Sequence, residues 1–242
     1  MYEGSVAGLY RWPVKSLRGE QIDAAQLDER GLAGDRGHIL TDLRPTRSGR
    51  VLTVRQIPQL LHWSSGYGTG VIEPAGSPKL RAPDGAEWSW DDPGLAGELS
   101  ETLGIPLDLC TAAGRQDRGP TILVTFEASL AALEQELSAP VELARFRPNV
   151  HLDVNTPAFV EGGWGEGTAI TIGDVRLEVV GKNAGPCIRC TVPSWDPGGH
   201  ERWPKLQQWL IEQHENKFGL IMRATRAGVV RTGDNVSVRP NP

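Results

Sequence analysis

The hydrophobic positions of this chain fall in short runs separated by turn residues, a pattern typical of β-structure. In the first half the runs cover residues 6–10, 21–27, 38–41 and 51–54. In the second half they cover 121–125, 141–154, 170–180 and 221–238. The Gly173-Asp174 pair predicts a hairpin turn within the third of these, and Gly233-Asp234 a turn within the last. Strands are therefore expected to dominate the fold.

Three other stretches place apolar residues at helical spacing. The first carries Leu95, Leu99 and Leu103 before Gly104, the second Leu130, Leu133 and Leu137 before Pro140, and the third Leu206, Trp209 and Leu210 after Pro204. Each ends or begins at a residue that commonly bounds a helix. We expect three helices on the outside of a mostly β (α+β) protein.

The segment from Ala112 to Pro120 is small, polar and turn-forming, and it predicts a domain boundary. A chain of 242 residues is long enough for two small domains at roughly 100–150 residues each. We therefore predict one β-rich domain over residues 1–115 and a second over residues 116–242.

Composition narrows the class of protein. The 25 Lys and Arg against 30 Asp and Glu give a net charge of −5, which argues against general binding of nucleic acid or of an anionic membrane. No apolar stretch reaches the roughly 18 residues of a membrane span, and no signal peptide is visible at the start. The three cysteines are expected to be reduced thiols in a cytoplasmic protein.

The segment Gly185-Pro186-Cys187-Ile188-Arg189-Cys190 is the strongest chemical signal, and its spacing leaves several interpretations open. A Cys-x-x-Cys pair is compatible with half a zinc site, a redox pair or a purely structural pair. A fourth interpretation is a single thiolate that binds a soft metal, with the adjacent Arg189 favouring the ionised form.

Basic residues recur at strand ends and turns. They are Lys15, Arg36, Arg55, Arg145 and Arg147. In an acidic protein, arginines beside apolar residues could form an anion pocket, because a guanidinium binds phosphate through two parallel hydrogen bonds. The alternative is that each is an ordinary solvated strand end. Trp164 and Trp195 similarly hint at an aromatic-lined pocket, although most of the eight tryptophans are expected in the core.

Several segments, taken in order along nearly the whole chain, resemble the MOSC family. They are Tyr10-Arg11-Trp12-Pro13-Val14-Lys15-Ser16, Gly31-Leu32-Ala33-Gly34-Asp35-Arg36 and Thr53-Val54-Arg55-Gln56-Ile57-Pro58 in the first half, and Arg145-Phe146-Arg147-Pro148-Asn149-Val150, Ile172-Gly173-Asp174, Arg189-Cys190-Thr191 with Asp196-Pro197, and Gly233-Asp234-Asn235-Val236 in the second. The two halves follow each other in the order found in the amidoxime-reducing components, which are members of this family, and in their bacterial counterparts. The resemblance implies an N-terminal MOSC β-barrel domain followed by a MOSC β-barrel with a few peripheral helices.

The resemblance also implies a molybdopterin cofactor held between the two domains, with Cys190 as the metal ligand and Cys187 only its neighbour. The other residues that it implies around the cofactor are Lys15, Ser16, Arg36 and Arg55 from the first domain, and Arg147, Asn149, Ile188 and Arg189 from the second. Asp196 would orient the substrate or relay protons. The segment 193–195 departs from the family pattern beside this expected site.

The function expected from the resemblance is reduction of a small N-hydroxylated or N-oxide substrate by a molybdenum-dependent oxidoreductase. Electrons would come from a separate reductase or ferredoxin-type protein, because the sequence contains no flavin, haem or iron–sulfur motif. Two alternatives stay open. One is a carrier of sulfur or of the molybdenum cofactor, with Cys190 bearing a persulfide or acting as ligand, and the other is a MOSC fold used in a biosynthetic pathway.

Overall fold

A computed structural model of the protein describes residues 1–111 and 119–241. Strands dominate these residues, as the sequence predicts. They are β1 Tyr2–Arg11, β2 Glu20–Ile22, β3 Ala24–Asp28, β4 Gly31–Leu32, β5 His38–Asp42, β6 Ser64–Gly66, β7 Lys79–Arg81, β8 Glu87–Ser89, β9 Leu107–Thr111, β10 Ile122–Phe126, β11 Val150–Val154, β12 Ala169–Ile172, β13 Val175–Glu178, β14 Gly185–Ile188, β15 Lys217–Arg226, β16 Gly228–Arg231 and β17 Asn235–Arg239.

The three predicted helices are confirmed. They are α1 Leu95–Leu103, α2 Glu127–Leu137 and α3 Pro204–His214, and short 3-10 helices cover Pro58–His62, Leu143–Phe146, Val160–Gly163 and Val192–Ser194. Each α-helix buries the leucines that its spacing places on one face, and Leu99, Leu133 and Leu206 are completely inaccessible. No helix of the described residues is both long and apolar enough to cross a membrane.

Seven strands close into a barrel in the order β10-β11-β1-β17-β12-β13-β15, with β15 returning to pair with β10. All neighbours are antiparallel except β10 and β11. The side chains that point inwards, including Leu9, Val150 and Leu220, form one apolar core. The expected β-barrel with peripheral helices is thereby confirmed.

The first half of the chain packs a second core beside the barrel. Two small sheets, β5-β9 and β6-β7-β8, surround this region together with α1, whereas a third sheet, β16-β3-β4, packs Leu27, Leu32 and Val230 into the barrel core. The centre of the second core contains Leu40, Trp63, Leu80 and Leu99. The two halves are interleaved, because β1 is a barrel strand and β16 returns from the second half to pair with β3. The predicted boundary between residues 115 and 116 falls outside the described residues and stays a prediction.

Two predicted strands differ from the structure. The run 51–54 makes only a single β-bridge at Val51, because the Gln56 side chain accepts hydrogen bonds from the backbone and hydroxyl of Thr53 and closes a turn there. The run 141–154 is extended only from Val150, and its first part forms the 3-10 helix Leu143–Phe146. Both deviations bring residues to the site described below.

Candidate functional site

A cavity of about 460 Å³ opens between the barrel and the first-half core, and we call it the main cavity. Its lining residues are Lys15, Ser16, Arg36, Val51, Thr53, Val54, Arg55, Gln56, Thr121, Leu123, Phe146, Arg147, Cys187, Ile188, Arg189, Cys190, Val192 and Ile221. Residues from both halves of the chain therefore build one site, of a size that suits a small-molecule ligand or cofactor.

The charge of the main cavity has a single sign. Its lining includes Lys15, Arg36, Arg55, Arg147 and Arg189, and no carboxylate is among the described residues that line it. The sequence places these five cations far apart, and the fold gathers them although the chain as a whole is acidic. Such a concentration of guanidinium groups suits a bound anion, above all a phosphate group.

Arg36 is held on the cavity wall by partners from both halves. Its Nη1 lies 2.5 Å from Asp35 Oδ2, and its Nη2 donates to the carbonyl of Arg147 at 3.2 Å. The same Nη1 lies 3.4 Å from Oδ1 of Asn149. The backbone of Asp35–Arg36 is itself fixed, because Asp35 Oδ1 accepts the amide of Trp12 at 2.8 Å. Arg36 is thus preorganised before any ligand binds.

Arg147 lies across the ring of Trp12, with its guanidinium carbon 4.3 Å from the ring centroid. Its Nη2 atom is out of contact with water and has no hydrogen-bond partner in the described residues. Desolvation by burial and the nearby positive charge of Arg36 lower the pKa of Arg147 to about 9. The charges of Asp35 and Cys190 act in the opposite direction, because they favour the charged guanidinium. An anion in the main cavity would supply the missing acceptor.

Three residues of the cavity wall hold left-handed backbone conformations that favour glycine. Ser16, Arg36 and Arg147 have φ angles of 73°, 48° and 56°. Such conformations are unfavourable for residues with a side chain, and they persist where the surrounding structure fixes them, commonly at functional sites. The hydroxyl of Ser16 accepts the amide of Val54 at 3.4 Å, which joins the Lys15-Ser16 turn to the turn after residue 51.

Two free thiols, Cys187 and Cys190, face the main cavity. Cys187 is buried in β14, and Cys190 is half-buried just after that strand. The Nη1 of Arg189 donates to Cys187 at 3.1 Å, so Cys187 is the thiol that this guanidinium contacts. Residues two apart on an extended strand share a face, whereas adjacent residues point to opposite faces.

The rest of the Arg189 side chain is also fixed. Its Nη2 donates to the carbonyl of Phe146 at 2.6 Å, and its guanidinium carbon lies 5.3 Å from the centroid of the Phe146 ring. Its Nε has no partner among the described residues. The Arg189 backbone is bonded on both sides to Asn216, through its amide at 2.8 Å and its carbonyl at 2.7 Å. This fixes the segment that carries Cys190.

Two of the expected site residues, Asn149 and Asp196, do not line the main cavity. Asn149 is completely buried behind the cavity wall, where its Oδ1 accepts the amide of Leu123 at 3.1 Å and faces Arg36. Asn149 therefore positions the wall rather than lining it. Asp196 lines a neighbouring cavity and is not among the residues that line the cavity with Cys190.

The carboxylate of Asp196 is occupied by its own loop. It accepts the amides of Gly198 at 3.0 Å and Glu201 at 2.7 Å. Partial burial acts to raise the pKa of Asp196, but the amide donors outweigh it and lower that pKa. A proton relay needs a carboxyl that is free to bind a proton, so this arrangement favours a role in shaping the loop.

Several important residues were missed in the sequence. Trp12 and Asp35 lie inside the segments that resemble the family, next to residues that the resemblance already places at the site, and this proximity is the signal that could have found them. Asn216 is marked by no local pattern, since its contact with Arg189 joins positions 27 apart. Of the two tryptophans that hinted at a pocket, Trp195 lines the neighbouring cavity, whereas Trp164 is buried in the barrel core.

Comparison with protein families gives two matches. The model of the MOSC domain matches residues 116–237, and the model of the MOSC N-terminal beta barrel domain matches residues 3–89. The protein named mitochondrial amidoxime-reducing component 1 from Mus musculus is 26% identical, over 96% of this chain and 82% of its own length. Mitochondrial amidoxime reducing component 2 from Bos taurus is 25% identical, with the same coverage.

Solved structures were compared as well. The YUAD protein from Bacillus subtilis is 16% identical with a TM-score of 0.49, and the comparison covers 100% of both chains. YiiM from Escherichia coli is 12% identical with a TM-score of 0.44, over 100% of this chain and 71% of that one.

Proposed function

This chain belongs to the MOSC domain family, and we propose that it is an oxidoreductase that uses a molybdenum cofactor to reduce small N-hydroxylated or N-oxide compounds. The family and the relatives named as amidoxime-reducing components support a function related to the molybdenum cofactor. The observation that carries the finer proposal is the main cavity, where five cations surround a free thiol at Cys190.

The residues of the main cavity fit such a cofactor. A phosphate group would meet Arg36 and Lys15, and the buried N–H groups of Arg147 and Arg189 that lack partners would gain acceptors. Within residues 1–111 and 119–241, no three His, Cys, Asp or Glu side chains are gathered to hold a metal ion. A metal that carries dithiolene sulfur ligands of its own needs only one further thiolate, which Cys190 can supply.

Both halves of the chain would contribute residues that hold the cofactor. Lys15, Ser16, Arg36 and Arg55 face the cavity from the first half, and Arg147, Arg189, Ile188 and Cys190 face it from the second. Asn149 would act from behind, by holding Arg36 and the Leu123 backbone. When bound, a molybdenum cofactor supplies two-electron oxygen-atom transfer, and the protein supplies ligation, orientation and a shaped pocket.

The proposed reaction balances with an external electron source. An N-hydroxylated amine, R–NH–OH, takes up two electrons and two protons and leaves as R–NH2 and water. The electrons come from a separate reductase or ferredoxin-type protein. The cations of the main cavity favour a neutral substrate or one with a partial negative charge at oxygen, because they repel positive groups.

The experiment is turnover of an N-hydroxylated amidine with a reduced viologen dye as artificial electron donor. Protein made in a host that synthesises the molybdenum cofactor is compared with Cys190→Ser. Cys110→Ser is the matched control, because Cys110 is a half-buried free thiol that does not line the cavity. The proposal predicts activity in the wild type and in Cys110→Ser, and its loss in Cys190→Ser.

Absence of turnover on every N-oxygenated compound tried, with metal-loaded protein, would contradict the proposed reaction. The intact mass of the same preparation covers the alternative carrier function. A labile adduct of one sulfur atom on Cys190, in place of bound molybdenum, would identify a persulfide carrier instead.

A further inference from the structure

A second cavity of about 190 Å³ lies beside the main cavity, and we call it the aromatic cavity. The rings of Tyr10, Trp12 and Trp195 contribute to its walls, which are mainly apolar. Arg147 and Val192 line both cavities, so the two spaces adjoin at these side chains. A ligand in the main cavity could therefore extend into the aromatic cavity past Arg147.

The charged groups on the wall of the aromatic cavity are mostly satisfied by the protein. Glu20 Oε1 accepts Arg11 Nε and the Tyr67 amide, at 2.8 and 2.9 Å. The Nε of Arg145 donates to Glu142 at 2.5 Å, and the guanidinium carbon of Arg145 lies 5.8 Å from the centroid of the Trp203 ring.

Asp196 is likewise occupied, by the amides of its own loop. The surface that these groups leave for a ligand is therefore the faces of the aromatic rings and the apolar side chains of Leu61 and Val192. Such a surface favours an uncharged apolar group.

Two buried N–H groups are the exceptions. Nη2 of Arg147 and Nε of Arg18 belong to side chains that line the aromatic cavity, and neither has a hydrogen-bond partner among the described residues. Nη2 of Arg147 is the donor assigned above to an anion in the main cavity, which leaves Nε of Arg18 for an acceptor group next to the ring of a ligand. The site thus combines ring faces with one donor that needs an oxygen or nitrogen acceptor.

The volume of the aromatic cavity matches that of a single six-membered ring. An apolar cavity of roughly 150 Å³ binds benzene in a well-studied protein, and the aromatic cavity is slightly larger at about 190 Å³. We propose that the aromatic cavity is a subsite that takes one uncharged six-membered aromatic ring of the substrate, while the polar group of that substrate reaches past Arg147 towards Cys190. That the bound molecule is a substrate rests on the proposed function. Binding of the ring itself can be measured without any turnover.

The test is equilibrium binding of benzamide and acetamide, which are uncharged, carry an acceptor and differ in the ring. The dissociation constants are measured by calorimetry and ligand-observed NMR, with protein purified from a host that synthesises the cofactor. Benzamide is expected to bind at least about 10-fold more tightly than acetamide, because burying a ring of this size is worth one to two orders of magnitude in affinity.

Two variants probe the ring site in different ways. Trp195→Ala removes one ring face and should weaken benzamide binding by about 2- to 10-fold. Ala144→Leu fills the cavity without removing a contact, since Ala144 lines it, and should weaken benzamide binding by at least as much. Neither should change acetamide binding. Trp209→Ala is the control, because Trp209 lies on α3, donates to Glu136 of α2 and lines neither cavity.

Equal benzamide affinity in the wild type and Ala144→Leu would overturn the proposal, and so would equal affinity for benzamide and acetamide in the wild type. Molybdenum content is measured on the same samples. A loss of metal in Ala144→Leu would mean that the aromatic cavity holds part of the cofactor, which also overturns a substrate subsite. If no N-oxygenated compound is reduced but benzamide binding follows the predicted order, the proposed reaction fails while the ring site stands.

Discussion

The guanidinium of Arg189 donates a hydrogen bond to the sulfur of Cys187 at a distance of 3.1 Å. Cys187 therefore fixes one end of Arg189, and the carbonyl of Phe146 fixes the other at 2.6 Å. The Nε of Arg189 is left without a partner among the described residues. Both thiols line the main cavity, but they differ in their contacts, because Cys187 accepts from Arg189 and thereby positions a cation.

This relationship predicts how Cys187 affects anion binding. Cys187→Ala removes the acceptor for Arg189, and sulfate binding measured by calorimetry should weaken by about 2- to 10-fold, because the loosened side chain must be ordered on binding. Cys187→Ser keeps an acceptor and should lose less. Cys110→Ala should behave as the wild type, and sulfate binding that is unchanged in Cys187→Ala would contradict a positioning role.

Arg147 predicts a pH dependence of anion binding. Its pKa is lowered to about 9 by loss of water and by Arg36, so it carries its charge below that pH and loses it above. Sulfate keeps the same charge across this range. Its affinity should fall as the pH rises from about 8 to about 10, and in Arg147→Gln this part of the fall should be absent. An identical pH profile in both proteins would contradict the lowered pKa of Arg147, and equal sulfate affinity in both at pH 7 would contradict its binding of the anion.

Asp196 is predicted to stabilise its loop and not to take part in chemistry. Asp196→Ala removes the acceptor for the amides of Gly198 and Glu201, and should lower the melting temperature by a few degrees. Because the folded pKa of Asp196 is lowered, its contribution is present above the ordinary carboxyl pKa and is lost as the pH falls through the folded value.

Molybdenum content and kcat of Asp196→Asn should stay within about threefold of the wild type, a difference of less than 1 kcal/mol in the barrier. A loss of kcat by two orders of magnitude, with metal retained, would instead make Asp196 a proton-transfer group.

Glu161 predicts a loss of stability as the pH rises. It is buried in the 3-10 helix Val160–Gly163, and burial raises its pKa. The folded protein therefore holds this proton more tightly than the unfolded chain, and stability falls as the pH rises above about 4.5 towards the raised value. Glu161→Gln should remove this fall in thermal unfolding curves, whereas Glu166→Gln, at an exposed position, should keep it. Parallel curves for all three proteins would contradict the prediction.

The features that could be predicted from the sequence are local. The three helices follow from leucines three or four residues apart, because such spacing decides the buried face without reference to the rest of the chain. The run at 51–54 failed as a strand because the Thr53–Gln56 side-chain bonds compete with strand pairing, which apolar pattern alone does not register.

The features that could not be predicted depend on contacts between distant segments. Pairing of β1 with β17 and of β3 with β16 joins residues more than 200 positions apart, and a hydrophobic periodicity gives no information on such distant pairs. The same holds within the site. The resemblance brought Lys15, Arg36, Arg147 and Cys190 to one place, as the cavity does, but it gave no information on Asn216.

The most direct measurement is molybdenum content by plasma mass spectrometry on protein purified without oxygen from a cofactor-competent host. The wild type is compared with Cys190→Ser, and with Cys187→Ser as the control for a neighbouring thiol. Near-stoichiometric molybdenum in the wild type and in Cys187→Ser, and its loss in Cys190→Ser, is the result predicted for a cofactor ligated by Cys190. Wild-type protein without molybdenum, or equal metal in the wild type and Cys190→Ser, would contradict it.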